Sequence, residues 1–262
     1  MADGPPVGFF GIFKGRIEMK NTNLFDVKDK VVLVTGGSRG LGLVIAQGFS
    51  ERGARVAVAA RNEPENAGLH FFKADLLRAR ECEGLVAKVA EKLGGIDVLV
   101  HCAGQVHRQA SIEFSLEKWD ELFQLHVRAG FDLAQQAAGI MVPQGGGKII
   151  MVSSILGFQG GLMVPAYSAA KHAINGLVKA LCNEWAPHHI NVNAIAPGYF
   201  ETELALPLLN DPQRGPAIRA RIPAGRAGRP EELVGAAVFL ASAASNYVHG
   251  HTLVVDGGWL AR

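Results

Sequence analysis

Cysteine is scarce in this chain: Cys82, Cys102 and Cys182 are three in 262 residues, an odd number, widely spaced and without a CxxC pair. That pattern excludes a disulfide framework and a cysteine zinc knuckle, and leaves small reduced core residues as the reading. An excess of one charge is missing as well. Lys and Arg number 26 against 24 Asp and Glu, a net +2 spread along the chain without a basic stripe, so no nucleic-acid partner is expected. No stretch reaches the roughly 20 apolar residues that cross a bilayer. The apolar run Val7 to Phe13 is cut by glycine and too short for the core of a secretion signal. A cytoplasmic protein without a membrane partner is therefore expected. His188-His189 and His249-Gly250-His251 lack a matching carboxylate or cysteine spacing, so no metal site is expected either.

The chain does hold 48% apolar residues, enough for one substantial core and one domain. Residues 1–24 are rich in Gly, Pro and Asn without a period and read as a flexible arm, leaving 25–262 as the domain. Short runs rich in Val, Ile and Ala recur at Val31 to Thr35, Arg55 to Ala59, Leu69 to Ala74, Asp97 to Val100, Lys148 to Val152, Asn191 to Ile195 and Thr252 to Val255. Helical patterns near 41–52, 78–93, 116–141, 166–186 and 230–242 separate them. This alternation predicts an α/β fold, a single-domain Rossmann-type doubly wound parallel sheet with helices on both faces. Pro207, Pro212, Pro216 and Pro223 break the rhythm just past a strand end, where open α/β sheets bind ligands, so residues 200–223 read as a substrate lid.

The first strand runs directly into Thr35-Gly36-Gly37-Ser38-Arg39-Gly40-Leu41-Gly42 and then an apolar helix. Glycine permits the tight turn and close backbone approach, and the helix N-terminus offers free N–H groups to a pyrophosphate. Gly36, Ser38, Arg39, Gly40, Leu41 and Gly42 are thus candidate cofactor residues. The second strand ends at Arg61, where an NAD site would usually carry an acid to bind the ribose hydroxyls. Arg39 and Arg61 suit a 2′-phosphate instead, which favours NADP(H) and leaves NAD(H) open. Asp75 and Leu76 after the third strand, and the turn Ala103-Gly104 after the fourth, are candidates for the adenine side, the alternative being plain strand-ending turns.

Tyr167 and Lys171 stand four apart in Tyr-Ser-Ala-Ala-Lys, on one face of a helix, where the ammonium is expected to lower the phenol's pKa. Ser154, thirteen residues before Tyr167, closes a strand and could bind the substrate oxygen, with Ser153 as its competitor. On these motifs, and on the Pro197-Gly198 turn with Thr202, the chain from about Leu24 to Arg262 resembles a classical short-chain dehydrogenase/reductase. The resemblance implies that Tyr167 is the acid/base and that Ser154 orients the carbonyl. It also implies that Lys171 binds the nicotinamide ribose, that Pro197 to Thr202 contact the nicotinamide, and that the enzyme is a homotetramer.

Two departures from the family pattern stand out. The family's Asn-Asn-Ala-Gly reads His101-Cys102-Ala103-Gly104 here, a change expected to alter adenine-side packing more than chemistry. The helix asparagine that completes the catalytic set aligns with His126. The proton relay is either rebuilt through the imidazole, or His126 only fills the helix kink while its backbone carbonyl holds the water. The loops Arg221 to Arg229, Pro197 to Phe200 and Val248 to Arg262 look most like the group that includes gluconate 5-dehydrogenase and 2-deoxy-D-gluconate 3-dehydrogenase. That likeness implies a sugar-acid substrate gripped at its carboxylate by Arg108, with His107, Gln159 and Tyr199 beside it. A 3-oxoacyl-carrier-protein reductase shares the same core motifs, and a cofactor-binding regulator with weak catalysis is the reading from another class.

Overall fold

Strands built from unbroken runs of valine, leucine, isoleucine and alanine have no polar face to offer water, so both sides must be covered. In the computed structural model, which describes residues 23–65 and 68–262, they are. Strands β1 (Val31–Thr35), β2 (Arg55–Ala60), β3 (His70–Lys73), β4 (Val98–His101), β5 (Gly147–Val152), β6 (Ile190–Pro197) and β7 (Thr252–Val255) form one parallel sheet in the order β3-β2-β1-β4-β5-β6-β7. The helices are α1 (Gly40–Ser50), α2 (Ala79–Cys82), α3 (Leu85–Leu93), α4 (Leu116–Phe123), α5 (Ala129–Gln144), α6 (Pro165–Trp185), α7 (Leu206–Leu209), α8 (Arg214–Arg221) and α9 (Val234–Ala241).

Alternate residues of each strand enter opposite cores. Leu33, Ile149 and Met151 pack with Val89, Leu133 and Ile174 of α3, α5 and α6. Val32, Val34 and Ile150 pack with Ile45 and Phe49 of α1 and Leu240 of α9. Residues 1–22 of the expected arm lie outside the described residues. The chain is tied to the domain from Leu24, whose carbonyl accepts the Ala244 N–H at 2.9 Å. No helix among the described residues is long and apolar enough to cross a membrane.

The fold differs from the expectation where a side chain or a glycine redirects the backbone. β4 begins one residue later than expected because the Asp97 carboxylate accepts the Val31 N–H at 2.7 Å, and it ends on His101. The helix expected over 78–93 divides at Gly84, which takes a φ of +66°. The one expected over 116–141 carries a π-helical segment, Gln124–Arg128, between α4 and α5. Such a bulge inserts an extra residue into the turn and re-aims its side chains, often at a functional site. Strand order reverses between β1 and β4, and the crevice above that reversal is where such sheets take ligands.

Candidate active site

Above the crevice lies a cavity of about 670 Å³, lined by every residue that the motifs nominated for the cofactor, from Gly36 in the loop after β1 to Thr202 after β6. Its floor requires glycine. Gly36 has a φ of +67°, donates its N–H to the Ala59 carbonyl at 2.8 Å, and a Cβ there would lie 2.7 Å from the Ala103 Cα. A Cβ on Gly42 would collide with the Gly36 carbonyl oxygen. The loop thus closes on Ala103-Gly104 and leaves its backbone bare, a cradle that fits a pyrophosphate at the N-terminus of α1. Arg39 and Arg61 are exposed at its rim, and β2 is followed by Arg61 and Asn62, neither of them an acid that could take ribose hydroxyls. Arg39 stands 3.8 Å from Glu203 of the 200–223 segment, both side chains about three-quarters exposed. Asp75 also holds its own turn, accepting the Leu77 N–H at 3.2 Å, while Leu76 is buried beside it.

Ser154 at the end of β5 and Tyr167 and Lys171 on α6 meet in the same cavity. Ser153 does not compete: its hydroxyl donates to Asn175 Oδ1 at 2.7 Å, turned into the core. The ammonium of Lys171 donates to the Val152 carbonyl at 2.6 Å and lies over the Tyr167 ring, 5.4 Å from its centroid. The expected lowering of the phenol is not what this geometry gives. Burial pushes Tyr167 up to about 12, the Ser154 hydroxyl pulls the other way, and burial pushes Lys171 down to about 8. The ammonium addresses the ring face and a carbonyl, so removal from water dominates the phenol.

His126 sits in the π-helical segment, 1% exposed, its ring edge-on to Tyr167 at 5.3 Å between centroids. Its Nε2–H donates to the Gln105 carbonyl at 2.9 Å, and Nδ1 is buried without a partner. Burial, then the Lys171 charge, hold its pKa well below the ordinary 6.5, so the imidazole is neutral. His101, at the end of β4, also reaches the π-helical segment that carries His126. The Thr35 hydroxyl donates to its Nδ1 at 3.0 Å, and its Nε2–H reaches the Leu125 carbonyl at 3.2 Å, one residue before His126. A Cβ on Gly130 would come within 3.0 Å of the His101 ring, so α5 makes room for it.

On the substrate side Tyr199 lines the cavity, while Arg108, His107 and Gln159 lie outside its wall. Arg108 is exposed, yet close enough that its charge lowers both the Tyr167 and the Tyr199 phenol. His107 bonds the Gln109 side chain at 3.2 Å, and Gln159 accepts from Arg221 at 3.3 Å. Sequence reasoning missed Asn175, four residues past Lys171 on the same helical face, and Trp259, whose ring meets Tyr199 at 5.0 Å. The spacing could have found the first. Nothing local marks the second.

Comparison with known proteins agrees with this geometry. A family model described as Enoyl-(Acyl carrier protein) reductase matches residues 36–260. The 2-dehydro-3-deoxy-D-gluconate 5-dehydrogenase of Dickeya dadantii is 44% identical over 250 residues, 92% of this chain and 99% of that protein. The gluconate 5-dehydrogenase of Gluconobacter oxydans is 38% identical, with 92% and 98% covered. Among solved structures, a gluconate 5-dehydrogenase from Burkholderia cenocepacia in complex with NADP and tartrate has a TM-score of 0.87 at 35% identity, with 91% of this chain and 98% of that one covered. With the glycine cradle, the serine, tyrosine and lysine in one cavity and relatives matched over their whole length, the chain belongs to the short-chain dehydrogenase/reductase family and is an oxidoreductase acting on CH–OH groups.

Proposed function

We propose that the protein interconverts an alcohol and a ketone on a sugar acid of the gluconate or keto-gluconate type, using NADP(H), with NAD(H) as the weaker cofactor. The observation that carries this reading is the convergence of Ser154, Tyr167 and Lys171 in one cavity with a phosphate cradle that has Arg39 and Arg61 at its rim. Bound in that cradle, NADP(H) supplies or accepts the hydride. Arg39 and Arg61 hold the 2′-phosphate, Asp75 and Leu76 flank the adenine, and Pro197, Gly198 and Thr202 border the nicotinamide. Ser154 donates to the substrate oxygen, and Tyr167 gives that oxygen its proton in reduction and takes it back in oxidation. Lys171, steadied by the Val152 carbonyl, binds ribose hydroxyls and keeps a positive charge near the phenol. His126 acts as a neutral positioning residue. Arg108, His107, Gln159 and Tyr199 receive the acid, and residues 200–223 close over it.

The names and NADP complex of the relatives support the substrate and cofactor. A carrier-protein reductase has less support, because these full-length relatives carry sugar-acid names. The homotetramer that the family resemblance implies, working in the cytoplasm, is part of this proposal, and the exposed ring of Phe131 beside Phe123 and Val127 offers an apolar surface for contact between copies. The test is cofactor oxidation and reduction by the purified protein with keto-aldonates, aldonates, acetoacetyl thioesters and simple ketones. Turnover of a sugar acid, stronger with NADP(H) and lost in Tyr167→Phe, is the expected result. Turnover of thioesters alone overturns the substrate, and cofactor binding without turnover anywhere would favour a regulator.

A further inference from the structure

The helix α8 in the lid ends on an exposed arginine oriented by two side chains. The guanidinium carbon of Arg221 lies 4.1 Å from the centroid of the Trp259 ring, and Nη2 donates to Gln159 Oε1 at 3.3 Å. Its backbone carbonyl accepts from Arg262 Nε at 3.2 Å, and Arg262 Nη2 donates to the Ala220 carbonyl at 2.7 Å. The loop after β5 and the C-terminal segment thus both meet the end of α8, Gln159 and Trp259 at the guanidinium and Arg262 at the backbone. Among the described residues no carboxylate comes within 4.0 Å of the guanidinium.

The stack and the single bond to Gln159 orient the guanidinium yet leave most of its five N–H donors free for an anion. A second donor in the same stack also lacks an acceptor: Trp259 is 5% exposed and its Nε1–H is buried without a partner. Trp259 in turn meets Tyr199, which lines the cavity with Tyr167 and Ser154. The stack thus places a cation next to a wall of the reacting centre. The charges of Arg108, Arg214 and Arg221 all act to lower the Tyr199 phenol, so a positive field already converges on that wall.

We propose that Arg221, stacked on Trp259 and steadied by Gln159, binds the substrate carboxylate from the lid, so that closure selects acids over neutral sugars. This rests on the sugar-acid reading and deepens it: Arg108 guides the anion at the rim, and Arg221 fixes it when the lid closes. A guanidinium pairs with a carboxylate through two parallel hydrogen bonds, which amide or ammonium replacements cannot reproduce.

The experiment compares kcat/KM for a keto-aldonate and for an uncharged ketose of the same carbon length, in the wild type, Arg221→Gln, Arg221→Lys and Arg219→Gln. Arg221→Gln should lower the value for the acid by about 10- to 100-fold. The value for the neutral ketose and the KM for NADP(H) should stay within about twofold. Arg221→Lys should recover part of the loss, and Arg219→Gln, the same charge change without the stack, should leave the acid unaffected. Equal losses on acid and ketose would mean that Arg221 only shapes the lid, and an unchanged acid would mean that it does not bind the carboxylate; either result overturns the proposal. If the wild type turns over no acid, the sugar-acid reading falls and takes this inference with it, which separates the two failures.

Discussion

Replacing His126 by asparagine restores the side chain that the family pattern places there, and the structure says what that should cost. The imidazole gives one neutral hydrogen bond to Gln105 and fills the space between Gly104 and the Tyr167 ring. A buried hydrogen bond contributes about 1 kcal/mol. The shorter side chain leaves unfilled volume worth roughly another 1 kcal/mol. A loss of about 2 kcal/mol should lower Tm by roughly 4–8 °C in a chain of this size. Because burial holds the imidazole neutral, His126 carries no titrating proton through the working range. The pH profile of kcat/KM should therefore keep the same limbs in His126→Asn, with turnover down by no more than about tenfold through looser placement of Tyr167. Initial rates from pH 5.5 to 10 and a thermal melt measure both effects. A wild-type limb between pH 5 and 7 that vanishes in the variant would refute the reasoning, since only a titrating imidazole could give it.

Three further outcomes are expected. Burial, then the Lys171 charge, lower His101 from 6.5 to about 4. The unfolded chain takes up a proton in that window that the folded chain refuses, so stability falls with acid from pH 6.5 to 4, by about 3 kcal/mol in all. His101→Asn should flatten that decline, and matching slopes of melting temperature against pH would sink the account. Arg39→Ala with Arg61→Ala should raise the KM for NADP(H) by about tenfold or more and leave that for NAD(H) nearly unchanged; equal changes for both would mean that neither arginine reads the 2′-phosphate. Gly36→Ala should abolish cofactor binding, measured by nicotinamide fluorescence, because its φ of +67° and its approach to the Ala103 backbone both reject a Cβ. Retained affinity would show that the loop adapts.

What was legible in the sequence followed from spacing along one element. The seven strands emerge within a residue or two of their expected ends, since unbroken apolar runs suit only a covered sheet. Tyr167 and Lys171 share a helical face by their spacing of four, and the glycine loop lies between a strand and a helix as its chemistry requires. The missed features depend on contacts between distant segments. Trp259 reaches Tyr199 across sixty residues, and Arg221 reaches Gln159 across a similar gap, so no local pattern announces either. The Tyr167 phenol was misjudged for the same reason: sequence shows that a cation is four residues away, and only the fold shows that Lys171 faces a carbonyl in a dry site.

The two histidines that depart from the family pattern belong to one arrangement. The Ala103 N–H donates to the Thr35 hydroxyl, that hydroxyl donates to His101, and His101 donates to the Leu125 carbonyl. The next residue, His126, reaches back to Gln105. The π-helical segment is thus pinned twice to the β4 turn, and that turn is the one against which Gly36 closes the cofactor cradle. A neutral imidazole at each pin spans a longer gap than an asparagine can and keeps charge out of a pocket where Lys171 already supplies it. Phosphate cradle, turn and catalytic tyrosine are held in one frame by bonds that do not titrate between about pH 6 and 8, so proton transfer in that range is left to Tyr167 and Lys171.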